Sequence, residues 1–206
     1  MEPQEQESAG RGLSPEKRAQ IVAAAVAEFQ AAGFQGASMD RIAARAEVSK
    51  RTVYKHFANK EALFRAILDR LVDRTVAALD IRFDPDRPLR DQLLALGEAE
   101  GRLLTSPDCM GLARVIVTET IRDRALAHEY NCKTEHLTVF QDFMAAAVSA
   151  GRLRTNDPDL VADQFLGLIK SRAFWPTMFS GEIVSEQQMR EIVEDAVDTI
   201  LARFAA

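Results

Sequence analysis

Ser38-Met39-Asp40-Arg41-Ile42-Ala43-Ala44-Arg45-Ala46-Glu47-Val48-Ser49-Lys50-Arg51-Thr52-Val53-Tyr54-Lys55-His56-Phe57 is the stretch that decides the fold. Ser38 is a preferred N-cap residue, and Ile42 with Ala43 supplies a short apolar face, so a brief helix begins there. A tight connection at Glu47-Val48 leads to Ser49, the cap of another helix barely two turns long. In that helix Val53 and Phe57 lie four apart and face inward, which leaves Lys50, Arg51, Tyr54 and Lys55 outward. Two short helices joined by a tight turn and packed on a preceding helix form a helix-turn-helix, which presents its second helix to the major groove. The outward face is basic and aromatic, as DNA requires. Arg and Lys donate to guanine edges, while Tyr54, Thr52 and His56 hydrogen-bond phosphate oxygens. The bland alternative is a solvated helix face.

Working outward, Ser14 and Pro15 open a first helix with Ile21, Ala25 and Phe29 on one face, and Gly33 ends it. Asn59 caps a long helix from Lys60 to about Asp80, where Lys60 and the free backbone N–H groups form a phosphate clamp. Pro85 and Pro88 interrupt the pattern. Five more helices follow, at about 88–104, 108–122, 124–150, 158–179 and 185–205. The expectation is an all-α chain of nine helices: a tail over 1–12, a DNA-binding domain over 13–60, and a ligand-binding and dimerisation domain over 61–206.

Residues 38–63 resemble the TetR-family DNA-binding signature almost throughout, and the likeness covers residues 15–64. It implies a homodimer of nine-helix protomers whose last two helices form a four-helix bundle. By position, Lys50, Arg51, Thr52 and Lys55 become base readers, and Ser38, Tyr54, His56 and Lys60 phosphate contacts. One departure is Glu47, where many members carry glycine. Further on, Ala162-Asp163-Gln164-Phe165-Leu166-Gly167-Leu168-Ile169 and Phe174-Trp175-Pro176 resemble the AefR-like subgroup. The resemblance implies a regulator that holds double-stranded operator DNA and releases it when a small hydrophobic effector binds. The alternative is a DNA-binding or architectural protein that answers to no ligand.

The final helix carries Met189, Ile192, Val193, Ala196, Val197, Ile200 and Phe204, a stripe too regular for a surface left in water, and it is expected to form the dimer seam. Two-fold symmetry then sets the recognition helices roughly 34–36 Å apart, or a multiple of it, on an inverted repeat. An aromatic pocket is expected around Phe140, Phe143, Phe165 and Trp175. Glu119 and Arg172 fall within apolar stripes, so they either pair or orient a ligand.

Lys and Arg number 26 against 31 Asp and Glu, a net charge of -5, but the distribution is uneven. Residues 11–60 hold nine basic and four acidic side chains, the pattern of a DNA-contacting module joined to an acidic partner. No metalloprotease HExxH, GxSxG elbow or glycine-rich phosphate loop is present, so no enzyme activity and no cofactor are expected. His128, Cys132 and His136 recur every four residues, but a rise of about 1.5 Å per residue separates the two histidines by about 12 Å, so no metal site is expected. The two cysteines, the polar N-terminus and the lack of a membrane-length apolar run fit a cytoplasmic protein.

Overall fold

A computed structural model describes residues 14–135 and 137–206. They form eleven helices: α1 Pro15–Gly36, α2 Met39–Arg45, α3 Lys50–His56, α4 Lys60–Ala78, α5 Leu89–Leu104, α6 Pro107–Arg122, α7 Arg124–Thr134, α8 Val139–Ser149, α9 Pro158–Arg172, α10 Phe174–Ser180 and α11 Glu186–Phe204. The tail expected over 1–12 lies outside the described residues, as does His136. No helix among the described residues is long and apolar enough to cross a membrane.

The nine expected helices become eleven segments because two are divided. The break between α9 and α10 traces to Pro176, which lacks an N–H and whose ring excludes the carbonyl four residues back, that of Arg172, the last residue of α9. Between α7 and α8, Thr134 bonds its hydroxyl back to the Tyr130 carbonyl at 2.9 Å. Thr138 and Val139, adjacent β-branched residues at the start of α8, favour helix weakly.

The chain divides into two compact units between Ile67 and Leu68. In the first, the Ser14 side chain accepts from Lys17 N to cap α1. Gly33 leaves the helical region at φ 67°. The chain therefore bends there, and Phe34 turns inward, its ring 5.3 Å from Phe29 and 6.0 Å from Phe64. Leu63, Phe64 and Ile67 are fully buried, so the first two turns of α4 belong to this unit, past Lys60.

In the second unit α11 packs on α5 and α9. A Cβ at Gly97 would stand 2.5 Å from Val193 Cγ1, and one at Gly101 2.7 Å from Met189 Cγ, so two glycines on one face of α5 admit α11 at close range. This overturns the expected dimer seam. Met189, Ile192, Val193, Ala196, Val197, Ile200 and Phe204 are buried in the protomer's own core. The stripe demanded cover, and α5 and α9 of the same chain supply it.

Candidate functional site

Each helix of the helix-turn-helix is closed by local chemistry. Ser38 Oγ accepts from Asp40 N at 3.1 Å and Ser49 Oγ from Thr52 N at 3.1 Å. At the end of α2, Glu47 N donates to Ala44 O and Val48 N to Ala43 O, both at 3.1 Å. That pair of bonds is a Schellman closure and needs a left-handed residue between helix and turn. Glu47 occupies it at φ 51°. Glutamate pays for its Cβ here where glycine would not, which gives the departure from the family pattern a backbone meaning. Buried Glu28 of α1 bonds Arg41 and lies 3.7 Å from Arg45, which fixes α2 on α1.

Val53 and Phe57 are buried beneath α3, so its outward face is Lys50, Arg51, Tyr54 and Lys55, all exposed, with Thr52 half-buried. Arg51 carries no ion pair among the described residues. Lys50 is engaged by Asp40, itself exposed, so a base contact through Lys50 requires that pair to open. His56 lies partly under the surface, and its Nδ1 has no hydrogen-bond partner among the described residues. Burial pushes its pKa below 6.5, and the charges of Lys55, Arg18 and Lys17 push the same way. At neutral pH the ring is therefore uncharged, and it reaches phosphate only as a neutral donor.

Lys60 stands differently from the expected phosphate clamp. Its ammonium donates to the Phe34 carbonyl at 2.8 Å and the Gln35 carbonyl at 3.0 Å, and sits 5.1 Å from the centre of the Phe34 ring. Two of its three protons are committed to the chain just after Gly33, so in the DNA-free protein it is a structural tie. Asn59 caps α4 through Ala62 N at 2.9 Å, as its residue type predicts.

The second unit holds a cavity of about 190 Å³. It is walled by Leu68, Leu71, Val72 and Thr75 of α4, with Met110 and Ala113 of α6, Tyr130 of α7, Phe140 of α8 and Phe174 of α10. Of the expected ligand residues, Phe140 lines it. Phe165 is core, 6.1 Å from Phe140, and Phe143 stacks edge-on to Phe83 at 5.5 Å in a separate groove. Trp175 is 47% exposed and packs on Phe174 and Phe179. Arg172 is exposed and paired with Asp195 at 2.6 Å, so neither it nor Trp175 enters the cavity. Glu119 is buried with Arg122 3.9 Å away, so the two singled-out charges do not pair with each other. His128 Nε2 lies 3.6 Å from Cys132 Sγ on exposed helix.

Phe140 is the cavity residue the sequence reading named; the charged pair it missed is Glu100 and Lys170, which lie 3.5 Å apart on the wall. The signal was available for Glu100: it lies four residues after Leu96 and seven after Leu93, on the buried face of α5. Just outside, Arg74 bonds Asp108 at 2.9 Å, and Arg70 lies 3.5 Å from the same carboxylate, tying α4 to the start of α6.

Residues 21–67 match the bacterial regulatory proteins of the tetR family, and residues 91–206 the AefR-like transcriptional repressor C-terminal domain. A TetR family regulator from Pseudomonas syringae pv. tomato has a TM-score of 0.83 at 40% identity, covering 93% of this chain and 98% of that one. The transcriptional activator FasR of Mycolicibacterium smegmatis is 32% identical over 123 residues, 60% of this chain and 56% of FasR. The transcriptional repressor SCO4008 of Streptomyces coelicolor is 41% identical over 70 residues, 34% of this chain and 35% of that protein. The matched parts of these two curated relatives are thus about half and a third of their lengths. With an exposed basic recognition helix on a capped helix-turn-helix, and both units matched, the chain belongs to the TetR family of transcriptional regulators and carries its DNA-binding helix-turn-helix.

Proposed function

We propose that the chain is a ligand-responsive repressor that binds an inverted-repeat operator as a homodimer and releases it when a small, largely apolar effector enters the second unit. The observation that carries the DNA half is the outward face of α3, where Arg51 is exposed between Lys50 and Lys55 and carries no ion pair among the described residues. A major-groove guanine satisfies such a fork in two bonds. The family description of residues 91–206 as an AefR-like repressor domain supports the sign of regulation. The dimer needs a seam other than the buried face of α11. Trp175 and Phe179, 47% and 86% exposed with rings 6.4 Å apart, offer apolar surface on α10 for a self-complementary contact.

Response to ligand rests on the cavity. At about 190 Å³ it is smaller than the roughly 300–1,000 Å³ of most ligand pockets. It exceeds the roughly 150 Å³ in which an apolar cavity holds benzene, so the effector is of single-ring size. Its wall includes α4, the helix whose first turns belong to the DNA-binding unit. An effector lowers operator affinity only through tighter binding to the position of α4 that DNA disfavours, and a coupling of about 1–3 kcal/mol gives roughly 5- to 150-fold weaker DNA binding.

Selection of binding sites from random duplexes, followed by footprinting, tests the DNA half. The expected site is an inverted repeat occupied by one dimer, with affinity falling steeply as salt rises. A single half-site held by a monomer, or binding indifferent to salt, refutes it. Ala113→Phe fills the cavity and should abolish effector response while operator binding persists; an intact response places the effector elsewhere.

A further inference from the structure

We propose that the effector of this cavity carries a positive charge, an ammonium or protonated nitrogen on a single-ring apolar body, and that Glu100 is its anchor. The inference rests on the reading of the cavity as the effector site and adds the chemistry of the ligand. Glu100 and Lys170 are the charged residues among those lining the cavity. Glu100 lies within α5, a turn before its end, and its side chain is 6% exposed, whereas that of Lys170 is 41% exposed. A short carboxylate on a rigid helix cannot swing to water, but a long lysine with its ammonium near solvent can. The anion is thus the fixed charge of the pair and the cation the replaceable one.

Glu100 is also poorly satisfied. A carboxylate offers about four lone-pair sites, and among the described residues its polar contact is Lys170 Nζ at 3.5 Å, longer than a good charge-assisted bond of about 2.7–2.9 Å. The threonine hydroxyls on the wall are spoken for: Thr75 donates to Leu71 O at 3.0 Å and Thr134 to Tyr130 O at 2.9 Å, and the remaining hydroxyl, the phenol of Tyr130, makes no bond to Glu100 among the described residues. The thiol of Cys109 takes Arg74 at 3.7 Å. What the cavity lacks is a donor close to Glu100, delivered from its apolar interior. A ligand cation supplies that donor and frees Lys170 to turn outward. A ligand anion would have to hold Lys170 while standing against a buried carboxylate 3.5 Å from it.

The probes are benzylammonium, benzyl alcohol and benzoate, matched in ring and size, measured by calorimetry on the purified full chain without DNA. Wild type is expected to bind benzylammonium roughly tenfold more tightly than benzyl alcohol, the difference between a charged and a neutral hydrogen bond, and benzoate least. Glu100→Gln should erase the preference for the cation while leaving the alcohol unchanged. Lys170→Met should strengthen cation binding by removing the competitor. Equal affinity for ammonium and alcohol overturns the role of Glu100 but leaves an apolar effector cavity standing. Preference for benzoate that Lys170→Met abolishes overturns it in favour of an anion site. Binding of none of the three, with Ala113→Phe indistinguishable from wild type, overturns both this inference and the cavity as an effector site.

Discussion

Replacing Arg51 and Lys60 separately by alanine separates base reading from structural support, two roles that a basic surface otherwise blurs. Arg51 is exposed and carries no ion pair among the described residues, so its loss should change folding by no more than about 0.5 kcal/mol. On operator DNA the same change removes a forked donor worth roughly 1–3 kcal/mol of base discrimination, about 5- to 150-fold, and relaxes preference at one base pair. Lys60 should behave in the opposite way. Its two bonds to carbonyls, at 2.8 and 3.0 Å, and its place over the Phe34 ring hold the turn that follows Gly33. Individually such contacts reach about 1.5–3 and 0.5–1 kcal/mol. Lys60 is only half-buried, and water replaces part of what is lost, so the net destabilisation should be about 1–2 kcal/mol. Fluorescence anisotropy on the operator and its single-base variants, at fixed salt, reads the first effect. Urea unfolding followed by circular dichroism reads the second, because Trp175, the sole tryptophan, lies in the other unit. An Arg51→Ala protein with the wild-type pattern of base preference refutes base reading at that position. A Lys60→Ala protein that unfolds like wild type yet binds every sequence equally weakly shows an ammonium working on phosphate instead.

Glu47→Gly should stabilise the protein by about 1 kcal/mol, since the left-handed backbone at φ 51° strains any side chain with a Cβ; unchanged or lower urea stability argues against the Schellman closure. Gly97→Ala should destabilise by about 1–3 kcal/mol because its Cβ meets Val193 Cγ1 at 2.5 Å. Combined with Val193→Ala it should cost at least 1 kcal/mol less than the sum of the single changes, and strict additivity would remove α11 from the protomer core. Lowered pKa means that the unfolded chain holds the His56 proton more readily than the folded one. Its contribution to stability is therefore complete above about pH 6.5 and is lost as pH falls below that value. His56→Gln should flatten this part of the pH profile, and an unaltered slope between pH 7 and 5.5 refutes the assignment. Phe179→Glu should shift the protein from dimer to monomer in sedimentation, whereas an intact dimer places the seam off α10.

The helix-turn-helix was legible because every step in it is local. Ser38, Ser49 and Asn59 cap helices that start within one residue of them, and Val53 and Phe57 face inward by their spacing alone. What local reading could not supply was the identity of the opposing surface. The α11 stripe points away from water whether it meets a second protomer or α5, and nothing local to Gly97 and Gly101 tells that α11 approaches them at close range. The structural bonds of Lys60 were hidden for a similar reason: nothing near it in sequence tells that the carbonyls of Phe34 and Gln35 fold back to meet its ammonium.

The three charges on apolar faces of the second unit show where helical phase is a sound guide and where it stops. Glu119 lies in an uninterrupted stretch of α6 and Glu100 in an uninterrupted stretch of α5, and both are buried, as an angle of about 100° per residue requires. Arg172 is the final residue of α9, and the phase that placed it beside Trp175 was carried across the break that Pro176 imposes. Past that break the angle no longer accumulates, so Arg172 and Trp175 both lie at the surface. A charge read from periodicity therefore deserves weight only when helix continues unbroken on either side of it. Glu100 meets that condition, four residues before the end of α5 and eleven after its start. Its carboxylate is consequently held where the helix puts it, and a ligand must adapt to the charge, which is why the chemistry of the effector follows from this residue and not from the aromatic rings around it.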